Sequence, residues 1–205
     1  LLLIIFSKKE TRILYTLYFI LYTFLGLVLS AFYWIPALLE MKYTNVLSQI
    51  GGGADFRDHF VCLQQLWTSH WGFGGSAKGC IDGLSFMIGK LHILGSLAAL
   101  VLIFLSWRNK NYNSYKYYIL LTFIGFIFSI FLMLETSKLV WKIIPTMVFF
   151  QYPWRFLIPA SFFSSILAGS LVYLSRQVGI KPYLTMTLLI FLLLFFNIKL
   201  FVPQT

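Results

Sequence analysis

Long apolar segments alternate with short charged ones along this chain, and that alternation limits its fold more than any motif does. Stretches 13–39, 91–107, 117–134, 156–175 and 182–198 contain no Asp, Glu, Lys or Arg. Their lengths of 27, 17, 18, 20 and 17 residues suit a hydrocarbon core of about 30 Å, which a helix crosses in roughly 17–25 residues. A soluble domain is roughly 45–50% apolar and about 25% charged; this chain is 60% apolar and 11% charged. Soluble-enzyme classes are therefore excluded. The sequence predicts an all-α, polytopic transmembrane helix bundle with about five full spans, near 13–35, 85–107, 117–134, 156–175 and 182–201. Two long loops, 40–84 and 135–155, each carry an interfacial amphipathic helix. Pro36 is expected to end the first span near Tyr33–Ile35, because proline lacks a donor and restricts its predecessor. Lys90 is expected to snorkel from the start of the second.

The net charge is +10, yet the basic residues form no dense run of the kind that binds nucleic acid. They read as topogenic charges. Segments 7–12, 108–116 and 176–181 hold Lys8, Lys9, Arg12, Arg108, Lys110, Lys116, Arg176 and Lys181 against one acid, Glu10. Loop 40–84 holds Lys42, Arg57 and Lys78 against Glu40, Asp55, Asp58 and Asp82, and loop 135–155 holds Lys138, Lys142 and Arg155 against Glu135. By the positive-inside rule the three short segments are cytoplasmic and the two long loops face outward, in a multi-pass protein of the cell membrane. Leu1–Phe6 lack a Met or a basic start and read as a helix remnant. The chain is accordingly expected to be one membrane domain, an internal or C-terminal fragment whose partners include the remainder of the polypeptide and membrane lipid. Ala160, Ser164 and Ala168, with Gly169 beside them, form a small-residue face for close helix approach.

The chemistry-bearing residues concentrate in the outward loops. Asp55, Asp58 and His59 are near enough in sequence to converge as a metal or acid/base cluster. Arg57 between them offers a plain ion pair instead, and that structural reading carries the greater weight. Asp58 is a candidate cap for a surface helix over 60–68, in which Phe60, Leu63 and Trp67 recur at helical spacing. The glycine-rich turn Gly72–Gly75 permits close backbone approach to a ligand or another loop. Asp82-Gly83 reads as a turn and cap. Cys62 and Cys80 fit either an external disulfide or two free thiols. No metal-binding or nucleotide-binding pattern occurs, so no metal or cofactor is expected. In loop 135–155 a half-buried helix and a proline-set turn are expected to deliver Gln151, Trp154 and Arg155 to the mouth of the fourth span. Arg155 suits a phosphate, being always charged and able to bind two oxygens; a headgroup-seeking anchor is the plainer alternative.

Three blocks, Ser30–Glu40 (SAFYWIPALLE), Asp55–His92 and Phe150–Phe156 (FQYPWRF), resemble a bacterial and archaeal family of large polytopic membrane proteins labelled "6-pyruvoyl-tetrahydropterin synthase-related". The label misleads, since none of that soluble zinc enzyme's histidine spacing is present. The family looks distantly similar to type-C fold glycosyltransferases, which move a sugar from a polyprenyl-phosphate carrier outside the membrane. In those enzymes the catalytic acid lies in a first outward loop that this sequence does not contain. The resemblance therefore transfers no catalytic residue. It implies that Arg155, with Trp154, Gln151, Arg57, His59, Asp55, Asp58 and Lys90 as further candidates, lines a cavity for a lipid-linked phosphate. A transporter or lipid flippase and a non-catalytic scaffold are the competing classes.

Overall fold

The structure is a computed structural model and describes residues 9–43, 45, 52–105 and 113–198. The helix remnant at 1–6, Lys8, Arg108, Lys110 and the tail of the fifth span beyond 198 lie outside the described residues. Among the described residues the chain is helical, with one isolated parallel bridge, Val61 to Leu134. It divides into two compact units, 1–50 and 51–205.

The first unit contains α1 (Lys9–Leu29) and α2 (Ala31–Glu40). The expected stop before Pro36 does not occur: α2 runs through Pro36 to Glu40. The interruption falls at Ser30, between the two helices. It is held there by side chains that satisfy the carbonyls at the end of α1. The Ser30 hydroxyl donates to Gly26 O at 2.8 Å, and the Trp34 indole donates to Leu27 O at 2.9 Å. Gly26 O also takes the Ser30 N–H at 3.0 Å, so the carbonyl left without a backbone donor is Leu27 O, which the Trp34 indole and, at 3.2 Å, the Ser30 hydroxyl satisfy. Proline removes one bond inside α2, whereas the polar side chains supply two at the break.

In the second unit a short α3 (Leu63–Trp67) precedes α4 (Lys90–Leu105) and α5 (Asn113–Met133). A short α6 (Lys138–Ile143) follows, then α7 (Leu157–Ser175) and α8 (Pro182–Asn197). Helix α7 is central, packing on α4, α5 and α8. The core joins Ala99 and Ile103 of α4, Ile119, Phe126 and Met133 of α5, and Ala160, Leu167, Leu171 and Leu174 of α7. The small-residue face lies in this seam: Ala160 and Ser164 are fully buried, and a methyl added at Gly95 of α4 would meet Ala168 at 3.5 Å. Gly125 of α5 is covered by the Phe163 ring of α7. Gly179, at φ 80°, ends the helical run after α7, and Pro182 opens α8 at a position where its missing N–H costs nothing.

Three helical segments are long and apolar enough to cross a membrane: Thr11–Leu29, Tyr115–Met133 and Pro153–Val178. Helices α4 and α8, of 16 residues each, are apolar but shorter. The expected start of the second span near Ser85 is corrected to Lys90. Residues 84–89 are held off the helix by loop contacts, the Phe86 N–H on Ser69 Oγ and the Ile88 N–H on Leu66 O. Lys116, read as part of a short loop, lies inside α5 and is buried. The helices are built as lipid requires. Thr23, Ser96, Thr122, Ser129, Ser165, Ser170 and Ser175 each donate to a carbonyl one turn back in the same helix, which satisfies these hydroxyls without a partner from lipid. Helix α8 has no buried residue, and its Leu, Phe, Met and Ile side chains stand exposed. Three helical segments long and apolar enough to span, together with these bare apolar faces, mark this as a membrane protein.

Candidate functional site

Helices α4 and α7 begin at the same end of the unit, where α5 finishes, and both long loops close over that end. The Val61 N–H donates to Met133 O at 2.9 Å, tying the first loop to the end of α5. Trp141 of α6 is fully buried; it stacks on Phe56 at 5.3 Å and meets Phe60 and Phe156 edge-on. Its indole donates to Leu132 O. Truncating such a side chain to Ala costs about 3–5 kcal/mol, so this aromatic box fixes α6 against α5 and α7. The two loops thus form one cap.

Within the cap the first loop is held by a disulfide and a carboxylate. Cys62 and Cys80 are bridged, their Cα atoms 5.6 Å apart, which settles the choice between a bridge and free thiols. Asp82 accepts from the Gln65 side chain and Ser69 Oγ, each at 2.7 Å, and from the His70 N–H at 3.1 Å. Burial by itself would raise the Asp82 carboxyl, but the donors from Ser69, Gln65 and His70 together hold it below the usual range. Asp82 is therefore a hub across the loop and not a cap for α4. The glycines serve this closure. A Cβ on Gly72 would lie 2.8 Å from Gly83 O, one on Gly83 would overlap Gly75 O, and the Gly74 N–H donates to Gly83 O at 2.9 Å. The glycine-rich turn approaches another loop segment.

The candidate cluster Asp55, Asp58 and His59 does not converge, and among the described residues no group of His, Cys, Asp or Glu is arranged to hold a metal. Asp55 caps the 3-10 turn Phe56–Asp58 and takes a forked bond from Arg57, 2.6 Å at its shortest. That hydrogen bond is the main reason the Asp55 carboxyl sits below its ordinary value. Asp58 pairs with Lys78 at 3.1 Å. It does not cap the surface helix, which begins at Leu63, where Gln65 Oε1 accepts the Cys62 N–H. The helix expected over 60–68 is confined to Leu63–Trp67. Leu66 and Gln65 point inward, while Leu63 is 68% exposed and Trp67 is exposed beside it. Lys90 stands over the Trp67 ring at 5.9 Å.

His59 is buried, and its ring nitrogens are engaged by groups other than the aspartates. Its Nε2 lies 3.0 Å from Gly53 O and must donate to it; Nδ1 then accepts from the Ser76 hydroxyl at 2.7 Å. Ser76 in turn accepts from the Trp154 indole at 3.0 Å. This clasp joins the two loops. A serine beside an imidazole has the reach of a nucleophile and base, but the Trp154 indole donates to one of the two oxygen lone pairs and lowers its nucleophilicity. Ser76 was absent from the candidates because a lone serine in a glycine-rich turn carries no sequence signal; the 78-residue separation from Trp154 hides the pairing.

Trp154 and Arg155 lie on the 3-10 turn Pro153–Phe156 that leads into α7, and Gln151 closes the preceding 3-10 segment Pro145–Phe150. Gln151 has φ 61° and ψ −50°, and the Tyr152 N–H closes on Phe150 O at 2.6 Å. This is a γ-turn of the rarer, strained hand, and a non-glycine residue held there costs about 1–3 kcal/mol. The same Phe150 carbonyl accepts from Arg155 Nη1 at 3.0 Å, and the guanidinium lies 5.1 Å from the Tyr152 ring centre. Tyr152 packs edge-on against His59 and stacks on Trp154. Arg155 is exposed, and among the described residues no carboxylate pairs with it. The cap therefore presents one oriented, uncompensated guanidinium at the head of α7. No family model, no curated protein and no solved structure matches this chain.

Proposed function

We propose that this chain is the membrane-embedded, lipid-phosphate-handling part of a glycosyltransferase-like protein of the cell membrane. In this reading α1, α4, α5, α7 and α8 all cross the bilayer and the cap faces outward. Two features support the five-span arrangement. An exposed, uncharged and largely apolar α8 is tolerable only in lipid, and irregular backbone such as 84–89 is acceptable at the membrane edge where protein buries it. The Cys62–Cys80 bridge supports the outward cap, since disulfides persist in oxidising compartments.

The observation that carries the reading is Arg155. It is fixed by the Phe150 carbonyl and the Tyr152 ring, lacks a carboxylate among the described residues, and sits where an apolar helix meets the cap. A polyprenyl phosphate has the complementary shape, with a doubly acceptor headgroup on a long apolar tail. Arg155 would offset the charge that develops on phosphate as a sugar departs. The acids of the cap do not supply a base, because Asp55, Asp58 and Asp82 are engaged by Arg57, Lys78 and the Gln65–Ser69 pair. That engagement favours a second reading, in which the unit binds the lipid phosphate without turning it over.

Binding of a radiolabelled polyprenyl-phosphate sugar to the detergent-solubilised protein tests the proposal. Arg155→Ala should weaken binding at least about tenfold, as loss of hydrogen bonds to a charged group implies, with helicity unchanged. Unchanged binding would remove Arg155 from the site. Binding without sugar transfer in the full polypeptide selects the second reading.

A further inference from the structure

Four residues close a circuit beside the Arg155 guanidinium. Trp154 stacks on Tyr152 with ring centres 5.5 Å apart, and His59 meets the Tyr152 ring edge-on at 4.8 Å. Ser76 ties these two neighbours together: its Oγ lies 2.7 Å from His59 Nδ1 and accepts the Trp154 indole N–H at 3.0 Å. The first loop supplies His59 and Ser76, the second Tyr152 and Trp154, and Arg155 lies 5.1 Å from the Tyr152 ring centre. We propose that Ser76 is a positioning residue for Arg155, holding the guanidinium so that its Nε–Nη2 edge takes two oxygens of the lipid-linked phosphate.

An exposed arginine has many rotamers, and binding through it must freeze one. Both restraints on Arg155 come from residues 150–152: Phe150 O accepts from Nη1 at 3.0 Å, and the Tyr152 ring faces the guanidinium. The turn between them holds Gln151 at φ 61° and ψ −50°, a conformation that persists only where its surroundings over-determine it. Trp154 and His59 are those surroundings for Tyr152, and among the described residues Ser76 is bonded to both. Ser76 is itself on a firm footing, inside the segment closed by the Cys62–Cys80 bridge and next to the Gly74–Gly83 hydrogen bond. With Nη1 engaged by Phe150 O, Nε and Nη2 form the edge without a partner among the described residues. That edge is the planar fork that binds phosphate through two parallel bonds. A hydroxyl on one loop thus sets the aim of a cation on the other.

The role rests on the Arg155 reading given above, so Arg155→Ala is measured beside it. Binding of the radiolabelled polyprenyl-phosphate sugar to the detergent-solubilised protein is compared for wild type, Ser76→Ala, Arg155→Ala and the double variant. Ser76→Ala should weaken binding about fivefold, the effect of one lost hydrogen bond. In the Arg155→Ala background the same change should leave the residual binding as it was, because no guanidinium remains to be aimed. Should Ser76→Ala lose its helicity, Trp154→Phe, which keeps an aromatic ring and removes the N–H, decides instead, with the same expected loss. If Arg155→Ala weakens binding and the folded clasp variant binds like wild type, Ser76 has no positioning role and the Arg155 reading stands. A fivefold loss that persists in the Arg155→Ala background overturns the role as well, since it reports general loosening of the cap. If the wild type does not bind the lipid, or Arg155→Ala binds it equally well, both readings fall.

Discussion

Asp82 accepts three hydrogen bonds from residues that are themselves largely inside, Gln65 and Ser69 among them. Replacing it with Ala strands those donors and should cost the cap about 2–3 kcal/mol. Faster amide exchange across Gln65–His70 would report that loss; unchanged exchange would show the hub to be idle. The same carboxylate gives the cap an acid limit. Its folded value is depressed from 3.8, so its contribution is fully present above that unfolded value and is lost as pH falls through the lower folded one. Asp55, depressed chiefly by the Arg57 hydrogen bond, acts in the same direction. Exchange protection of the cap, corrected for the intrinsic pH dependence of exchange, should therefore be level near neutrality and fall below about pH 4. Asp82→Asn should flatten that fall. The sequence disclosed Asp55 with Arg57, two residues apart, because a local ion pair is visible in local order. It concealed the hub and the His59–Ser76–Trp154 clasp, whose bonded partners are 12 to 78 residues apart.

Helix packing rests on where small residues allow contact. A methyl at Gly125 would lie 2.8 Å from the Phe163 ring, whereas one at Gly169 meets open space. Gly125→Ala should thus destabilise the bundle by about 1–3 kcal/mol through overpacking, and Gly169→Ala should not. Thermal unfolding in detergent separates the two; equal effects would show that glycine flexibility, not contact, sets the cost. Reduction of Cys62–Cys80 frees a loop with a separation of 18 residues. It should cost about 3 kcal/mol by chain entropy, seen as earlier proteolysis of 62–80. The helices were legible in sequence because apolar runs free of charge leave few alternatives. Their ends were less so. Lys90 replaces Ser85 as a start because Ser69 and Leu66 capture the preceding backbone. Pro36 yields to Ser30 as a break because the Ser30 and Trp34 side chains satisfy the Leu27 carbonyl. Both outcomes turn on tertiary or side-chain bonds that hydropathy does not register.

For the second unit as a whole, the central claim is that loops 52–89 and 134–156 form one cap on one face of the membrane. The Val61–Leu134 bridge, the box around Trp141 and the Ser76–Trp154 bond all require it. Charge counting along the sequence leads to the same pairing of loops, though Lys138, Lys142 and Arg155 blur the contrast; the contacts now supply the reason. The native cysteines are bridged, so a single added thiol reports its own position. Lys78→Cys and Lys138→Cys should both react with a membrane-impermeant maleimide applied outside intact cells, while Lys181→Cys should react only after permeabilisation. If position 78 labels from outside and position 138 does not, the two loops lie on opposite faces, and the cap with its Arg155 site does not exist.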